Sequence, residues 1–276
     1  MADTAFQIQY RQEFVAGFEQ KQSILRSSTT TEAVLNGNQA TFLVADSGGA
    51  TAVTRGVNGL IPARSDNLNQ YTATLAEWHD LVRRSKFNIF ASQGDGRRIM
   101  QDTTMSVINR KIDQDIITEL NTATQDTGAS ATGSLAMVMW GLTILGNNAV
   151  PLDGNIYGLI TPGMYAYLMQ TTEFASADFT GNKPFDGQGT AFRWAGVNWM
   201  VHPNLPGKAT AAEKCFMYHK SAIGHAFDTS TMSAVIGYDE EQDYSFARCT
   251  AYMGSKLLQN SGVVVLNHNG ANFAPL

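Results

Sequence analysis

The sequence predicts an α+β protein, and three observations predict it. Apolar residues recur at helical spacing from Arg97 to Ala123, marking one long helix. Between Ala40 and Trp78 the pattern turns to Thr-rich extended runs broken by glycines. From Ser134 onward, helix and strand patterns alternate and then give way to strands. The 276 residues suffice for one large domain or two smaller ones, each with a core.

Composition excludes several classes. With 43% hydrophobic and 16% charged residues the chain is not disordered. A net charge of −5, from 19 Lys+Arg and 24 Asp+Glu, argues against gripping phosphate backbones. So low a charge content also points to a surface largely covered by partners. Cys215 and Cys249 are too few for a disulfide scaffold or a Cys-rich zinc site. No basic-then-apolar leader follows Met1, and the most apolar window, Leu135 to Leu145, is broken by Gly141 and Thr143. That window is also shorter than the roughly 20 apolar residues that span a bilayer. The expected setting is a reducing cytosol, with no membrane.

Phe6, Tyr10, Phe14 and Phe18 stand at every fourth position, an aromatic stripe along one side of a helix. Such a helix packs either on its own domain or, as an arm, on a neighbouring subunit. Next, Thr41–Ala45 and Ala50–Thr54 flank Asp46-Ser47-Gly48-Gly49 and read as a hairpin, with a further extended run at Gln70–Leu75. Its apolar residues are sparse, so it needs an external surface to lie on. The long helix carries Ile99, Met100, Val107, Ile108, Ile112, Ile116, Ile117 and Leu120 on one stripe, with Asp95 placed to cap it. At about 1.5 Å per residue it exceeds roughly 35 Å, the length of a central strut.

A Gly/Ser/Thr/Ala-rich stretch, Asp126 to Gly133, reads as a flexible connector at a domain boundary. Ser134–Asn148 reads as a helix, Asn155–Thr161 as a strand, and Pro162 opens a helix to Gln170. Phe174 to Gln188 reads as loop. Phe192–Val201, Lys214–His219, Ala222–Phe227, Tyr244–Tyr252 and Gly262–Leu266 read as strands.

The residues show no catalytic constellation and no metal or cofactor site. Cys215 and His219 lie four apart, but on a strand, where that spacing is too wide for one ion. His79-Asp80 has no nucleophile motif, and His202, His225 and His268 stand alone. Asp239-Glu240-Glu241 with Asp243 lacks the alternation and glycine of a calcium loop. Gly94-Asp95-Gly96 before Arg97 and Arg98 is a weak anion signal at a helix start, without a phosphate-loop pattern.

The order of elements nevertheless resembles the major capsid proteins of tailed bacteriophages, the Hong Kong 97-like fold. Leu81 to Leu120, and above all Arg110-Lys111-Ile112-Asp113-Gln114-Asp115-Ile116-Ile117, looks like the family's spine helix. Val150 to Pro162 through Tyr167-Leu168-Met169 is similar to the axial domain's helix–turn–strand–Pro–helix run. Ala195 to Val201, Asn204-Leu205-Pro206 and His219 to Gly224 look like its later strands.

The resemblance implies an N-terminal arm over residues 1–37 and an extended β-hairpin loop over 38–71. A peripheral domain would take 72–125 and 236–276, with the spine helix at about 97–123, and an axial α/β domain 126–235. It implies a non-enzymatic role: a major capsid protein assembling as hexamers and pentamers into the icosahedral virion head around packaged double-stranded DNA. That DNA would be contacted only weakly. Phe6, Tyr10, Phe14, Phe18, Phe42, Val44, Val53 and Arg55 would make inter-subunit contacts. Synthesis would be in the host bacterial cytoplasm, with a separate scaffold protein, a portal and decoration proteins as partners. No lysine lies between Lys21 and Lys86, so the shell is expected to be held without covalent cross-links. The chain enters the arm directly, so no maturation cleavage is expected. An encapsulin-type nanocompartment shell is the nearest alternative. A small hydrolase using His79 or His219 is the remote one.

Overall fold

In the computed structural model, the described residues are 22–32, 37–64, 67–85, 96–175, 191–228 and 233–273. The strands are β1 (Thr30–Glu32), β2 (Gln39–Asp46), β3 (Asn67–Thr74) and β4 (Ala76–Ser85), followed by the helices α1 (Gly96–Leu120) and α2 (Leu135–Asn147). Then come β5 (Ile156–Ile160), α3 (Pro162–Leu168), α4 (Thr172–Ala175), β6 (Ala191–Trp194), β7 (Val197–Val201) and β8 (Glu213–His219). The chain closes with β9 (Ile223–Phe227), β10 (Ser233–Asp239), β11 (Tyr244–Leu257) and β12 (Val263–His268). No helix among the described residues is long and apolar enough to cross a membrane.

Three sheets form. One has the order β12-β8-β5-β7-β6, with β5 parallel to β7 and the other pairs antiparallel. Another is organised on β11, which pairs with β9, β10 and β4, while β1 adds parallel to β9. The third is the two-stranded ribbon β2-β3. The strut helix lies on the β11 sheet, and Met100, Ile108, Ile112, Ile116 and Leu120 are all buried on its inner stripe. One cluster of buried residues runs from this stripe through Val138 and Leu145 of α2 to Leu159, Phe216 and Val264 of the β12-β8-β5 side.

Local chemistry accounts for the element ends. Ser134 caps α2 by accepting the Met137 N–H at 3.3 Å. Thr161 caps α3 ahead of Pro162. The run Phe192–Val201 is two strands instead of one, because Ala195 and Gly196 both take positive φ (52° and 76°) and make a tight hairpin turn.

Further differences from the sequence reading are instructive. Ala50–Thr54 forms no strand: β2 pairs with β3, and residues 47–64 project between them. Gly48 and Gly49 do make a turn, closed by the Ala50 N–H on the Ser47 C=O at 3.2 Å, but no strand pairs with β2 across it. Leu81–Ser85 belongs to β4 and not to the strut helix, its alternating burial marking a half-covered strand. Phe174 is in a short helix and buried. The Asp126–Gly133 connector is tied down beside β12 by Thr127 N–H to Val265 C=O (3.0 Å) and Ala131 N–H to Asn267 C=O (3.2 Å). Two strands cross the expected division of the chain: β9 joins the β11 sheet, and β12 joins β8. Gly94 and Asp95, and residues 176–188 of the expected loop, lie outside the described residues.

Candidate assembly surfaces

The β2-β3 ribbon has a fixed base and a free end. Ala40 and Phe42 of β2 and Ala73 of β3 pack with Ala226 and Leu258 into a small separate core, with Val44 half-buried beside it. Phe42 is only 6% exposed, so its ring is spent on its own chain. Beyond Val44 the cover ends. Leu43 and Leu68 are about three-quarters exposed, and Val53, Val57, Leu60 and Ile61 stand in solvent around the projecting loop together with Arg55. Soluble monomers seldom leave so many large apolar residues uncovered on one projection. Of the residues expected to touch a neighbour, Val53 and Arg55 are therefore free to do so. Phe6, Tyr10, Phe14 and Phe18 lie outside the described residues.

The root of the arm is held as a strap. The Asp113 carboxylate on α1, fully buried, accepts the Ser23 hydroxyl (2.6 Å) and the Ile24 and Leu25 N–H groups (3.1 and 3.2 Å). His202 Nε2, beyond β7, lies 3.4 Å from the same carboxylate. His202 Nδ1 accepts the Asn204 N–H, so Nε2 carries the ring proton and faces Asp113. Burial pushes the Asp113 pKa up, but His202, Ser23 and the two backbone N–H groups outweigh it, leaving the carboxyl below its ordinary range. Farther along, Ser28 and Tyr218 share a 2.6 Å hydrogen bond, Arg26 stacks on Phe227, and β1 pairs with β9. Sequence reasoning placed Asp113 only within the spine-helix pattern. The available signal was its position beside Ile112 on an apolar stripe, where a carboxylate must find partners.

A second apolar face lies on α2 and the turn after it. Met139 and Trp140 are about half exposed and Leu152 more so. Met139 and Leu152 line a groove together with Leu142 and Ile156.

The residues weighed for chemistry resolve into structural bonds. His268 Nδ1 lies 2.9 Å from the buried Glu213 carboxylate, which also accepts the Thr161 hydroxyl and the Ala209 N–H. His219 Nδ1 accepts the Ser221 N–H and lies 2.8 Å from its hydroxyl, while Nε2 faces Asp153 at 3.2 Å. His219 thereby caps the turn at Lys220–Ala222. His79 bonds Thr250 and Glu77 on the exposed sheet face. Cys215 is fully buried and its thiol is pushed up to about 12, chiefly by that burial, so it is a poor nucleophile. Asp239 turns its carboxylate onto the Glu241 and Gln242 N–H groups, and no metal-sized cluster occurs among the described residues.

Comparison with known proteins adds the family. No curated protein matches the chain. Among solved structures it is similar to a chain of Mycobacterium phage Che8, at 16% identity and TM-score 0.76, covering 97% of this chain and 98% of that one. It is similar to the capsid of cyanophage P-SCSP1u (14%, TM-score 0.73, 96% and 93% covered) and to that of cyanophage Pam1 (12%, 0.74, 98% of each). The fold is therefore that of phage capsid chains. The family model described as phage capsid protein matches residues 2–269, and the chain belongs to that family.

Proposed function

We propose that copies of this phage major capsid protein close as hexamers and pentamers into an icosahedral shell around double-stranded DNA. The observation that carries this reading is the β2-β3 ribbon, whose outer half exposes Leu43, Leu68 and the loop residues Val53 to Ile61, with none of the described residues covering them. Identical neighbours supply that cover in a closed assembly, and also hide the ribbon's open edges. The ribbon and the arm beyond Gln22 are assigned to contacts with sister subunits, through Val53, Arg55, Phe6, Tyr10, Phe14 and Phe18. The strut helix with the β11 sheet takes the peripheral role, and the β12-β8-β5-β7-β6 sheet with α2 takes the axial one. The net charge of −5 suits a wall that lets DNA slide, since strong cationic contacts would hold it. Synthesis in the host bacterial cytoplasm, a separate scaffold protein, a portal and decoration proteins belong to this proposal through the family resemblance.

The test replaces residues 47–66 by Asn-Gly, which closes the Asp46–Asn67 pair with a two-residue hairpin turn. The expected product is a folded subunit that forms no closed shells when its scaffold is co-expressed, as seen by negative-stain microscopy. Normal shells would overturn the ribbon's role.

A further inference from the structure

A groove of about 360 Å³ lies between the outer strand β4 and α1, lined by Trp78 and His79 on one side and by Val107, Lys111 and Gln114 on the other, with Asn204 also on its wall. Among the described residues β4 pairs only with β11, so its other edge borders this groove unpaired. Two features of the wall ask for an acceptor. The Trp78 indole N–H is buried and meets no hydrogen-bond partner. Lys111 Nζ sits 3.8 Å over the Trp78 ring, and Arg110 forms no ion pair among the described residues. Asp115, the carboxylate whose field reaches Lys111, is itself engaged by the Ser255 hydroxyl at 2.6 Å. A buried donor beside two cations is a seat for a carboxylate.

The chain supplies one at the right place. Ser23 is pinned to Asp113, the residue before Gln114, so the segment ahead of it starts beside the groove. Glu19 stands four residues upstream, and four residues reach at most about 14 Å. Glu13 and Glu19 are the acids of the segment from residue 4 to residue 21. We propose that the groove holds the chain's own N-terminal segment, with the Glu19 carboxylate set against Arg110, Lys111 and the Trp78 indole N–H. Seating Glu19 extends the strap by one more anchor and fixes the direction in which Phe6 to Phe14 leave the body. The inference concerns a contact within one chain and does not depend on a shell being formed.

The test is a cross-link in the full chain, Gln20→Cys with Gln114→Cys joined by a short bis-maleimide. The native Cys215 and Cys249 are buried. Isotopically heavy and light subunits are mixed, and the joined peptides are read by mass spectrometry. The expected result is heavy–heavy and light–light pairs only. Adding Arg110→Glu should lower the yield at least about threefold, the effect of losing one partly exposed ion pair. Mixed pairs would overturn the proposal in favour of a neighbour's arm. So would absence of cross-link when a Gln22→Cys/Gln114→Cys control reacts, or a yield that ignores Arg110→Glu.

Discussion

The Phe42 ring lies on Gly224 so closely that a Cβ there would stand 2.9 Å from the nearest ring atoms. The contact sets the tilt of the β2-β3 ribbon on the body, because Phe42 is the largest side chain of the small core under it. Gly224→Ala should push the ring away at a cost of about 1 kcal/mol in subunit stability, as for mild overpacking. The ribbon would then leave the body at a different angle. Denaturant unfolding should register only that loss of about 1 kcal/mol while shell yield falls sharply, and unchanged yield would show that the contact does not aim the ribbon.

Asp113 should dominate the strap. Asp113→Ala leaves the Ile24 and Leu25 N–H groups and the His202 ring unmatched in a buried place. A loss of about 3–5 kcal/mol is expected, as for one partner removed from a buried charged network. Urea unfolding of the purified subunit checks it, and a loss below about 1 kcal/mol would mean that the strap rests on Leu25 and β1 instead.

Acid should loosen the same region through His225. Burial, then the Arg26 guanidinium, depress its pKa to about 4 from 6.5, against a smaller upward pull from Asp113. The unfolded chain therefore binds a proton that the folded chain refuses between those two values. Stability is full above pH 6.5 and falls as pH drops toward 4, by about 3 kcal/mol at most. Asp115, raised chiefly by burial and joined to His225 through Ser255, releases its proton later in the fold and opposes part of this loss. Asp113, held low, adds further acid sensitivity below its ordinary 3.8. Unfolding midpoints measured from pH 7 to 4 should slope downward, and His225→Gln should flatten the slope.

The α2 face offers a contrasting test. Trp140 is 57% exposed, so Trp140→Glu should alter subunit stability by no more than about 0.5 kcal/mol. Sedimentation should show folded subunits that no longer associate at the concentration where the parent assembles. Normal association would remove this face from the assembly surfaces.

Much of this architecture was legible in the sequence because it is local. The periodic stripe from Met100 to Leu120, the Ser134 and Pro162 helix starts and the strands β8, β9, β11 and β12 follow from side-chain spacing and backbone preference, whereas β10 (Ser233–Asp239) was not legible as a strand. What sequence could not supply was partnership across distance. Nothing local says that Gln39–Asp46 pairs with Asn67–Thr74 instead of Ala50–Thr54, since register depends on which face finds a core. Nor does spacing reveal that Asp113 meets Ser23, some ninety positions away, or that Glu213 meets His268. Amino-acid order by itself determined the long helix, the capped helix starts and most of the later strands, because propensity and periodicity act over a few residues. Tertiary structure alone decided which carboxylates are buried and which strands are neighbours, because desolvation and hydrogen bonding are settled only when distant segments close on one another.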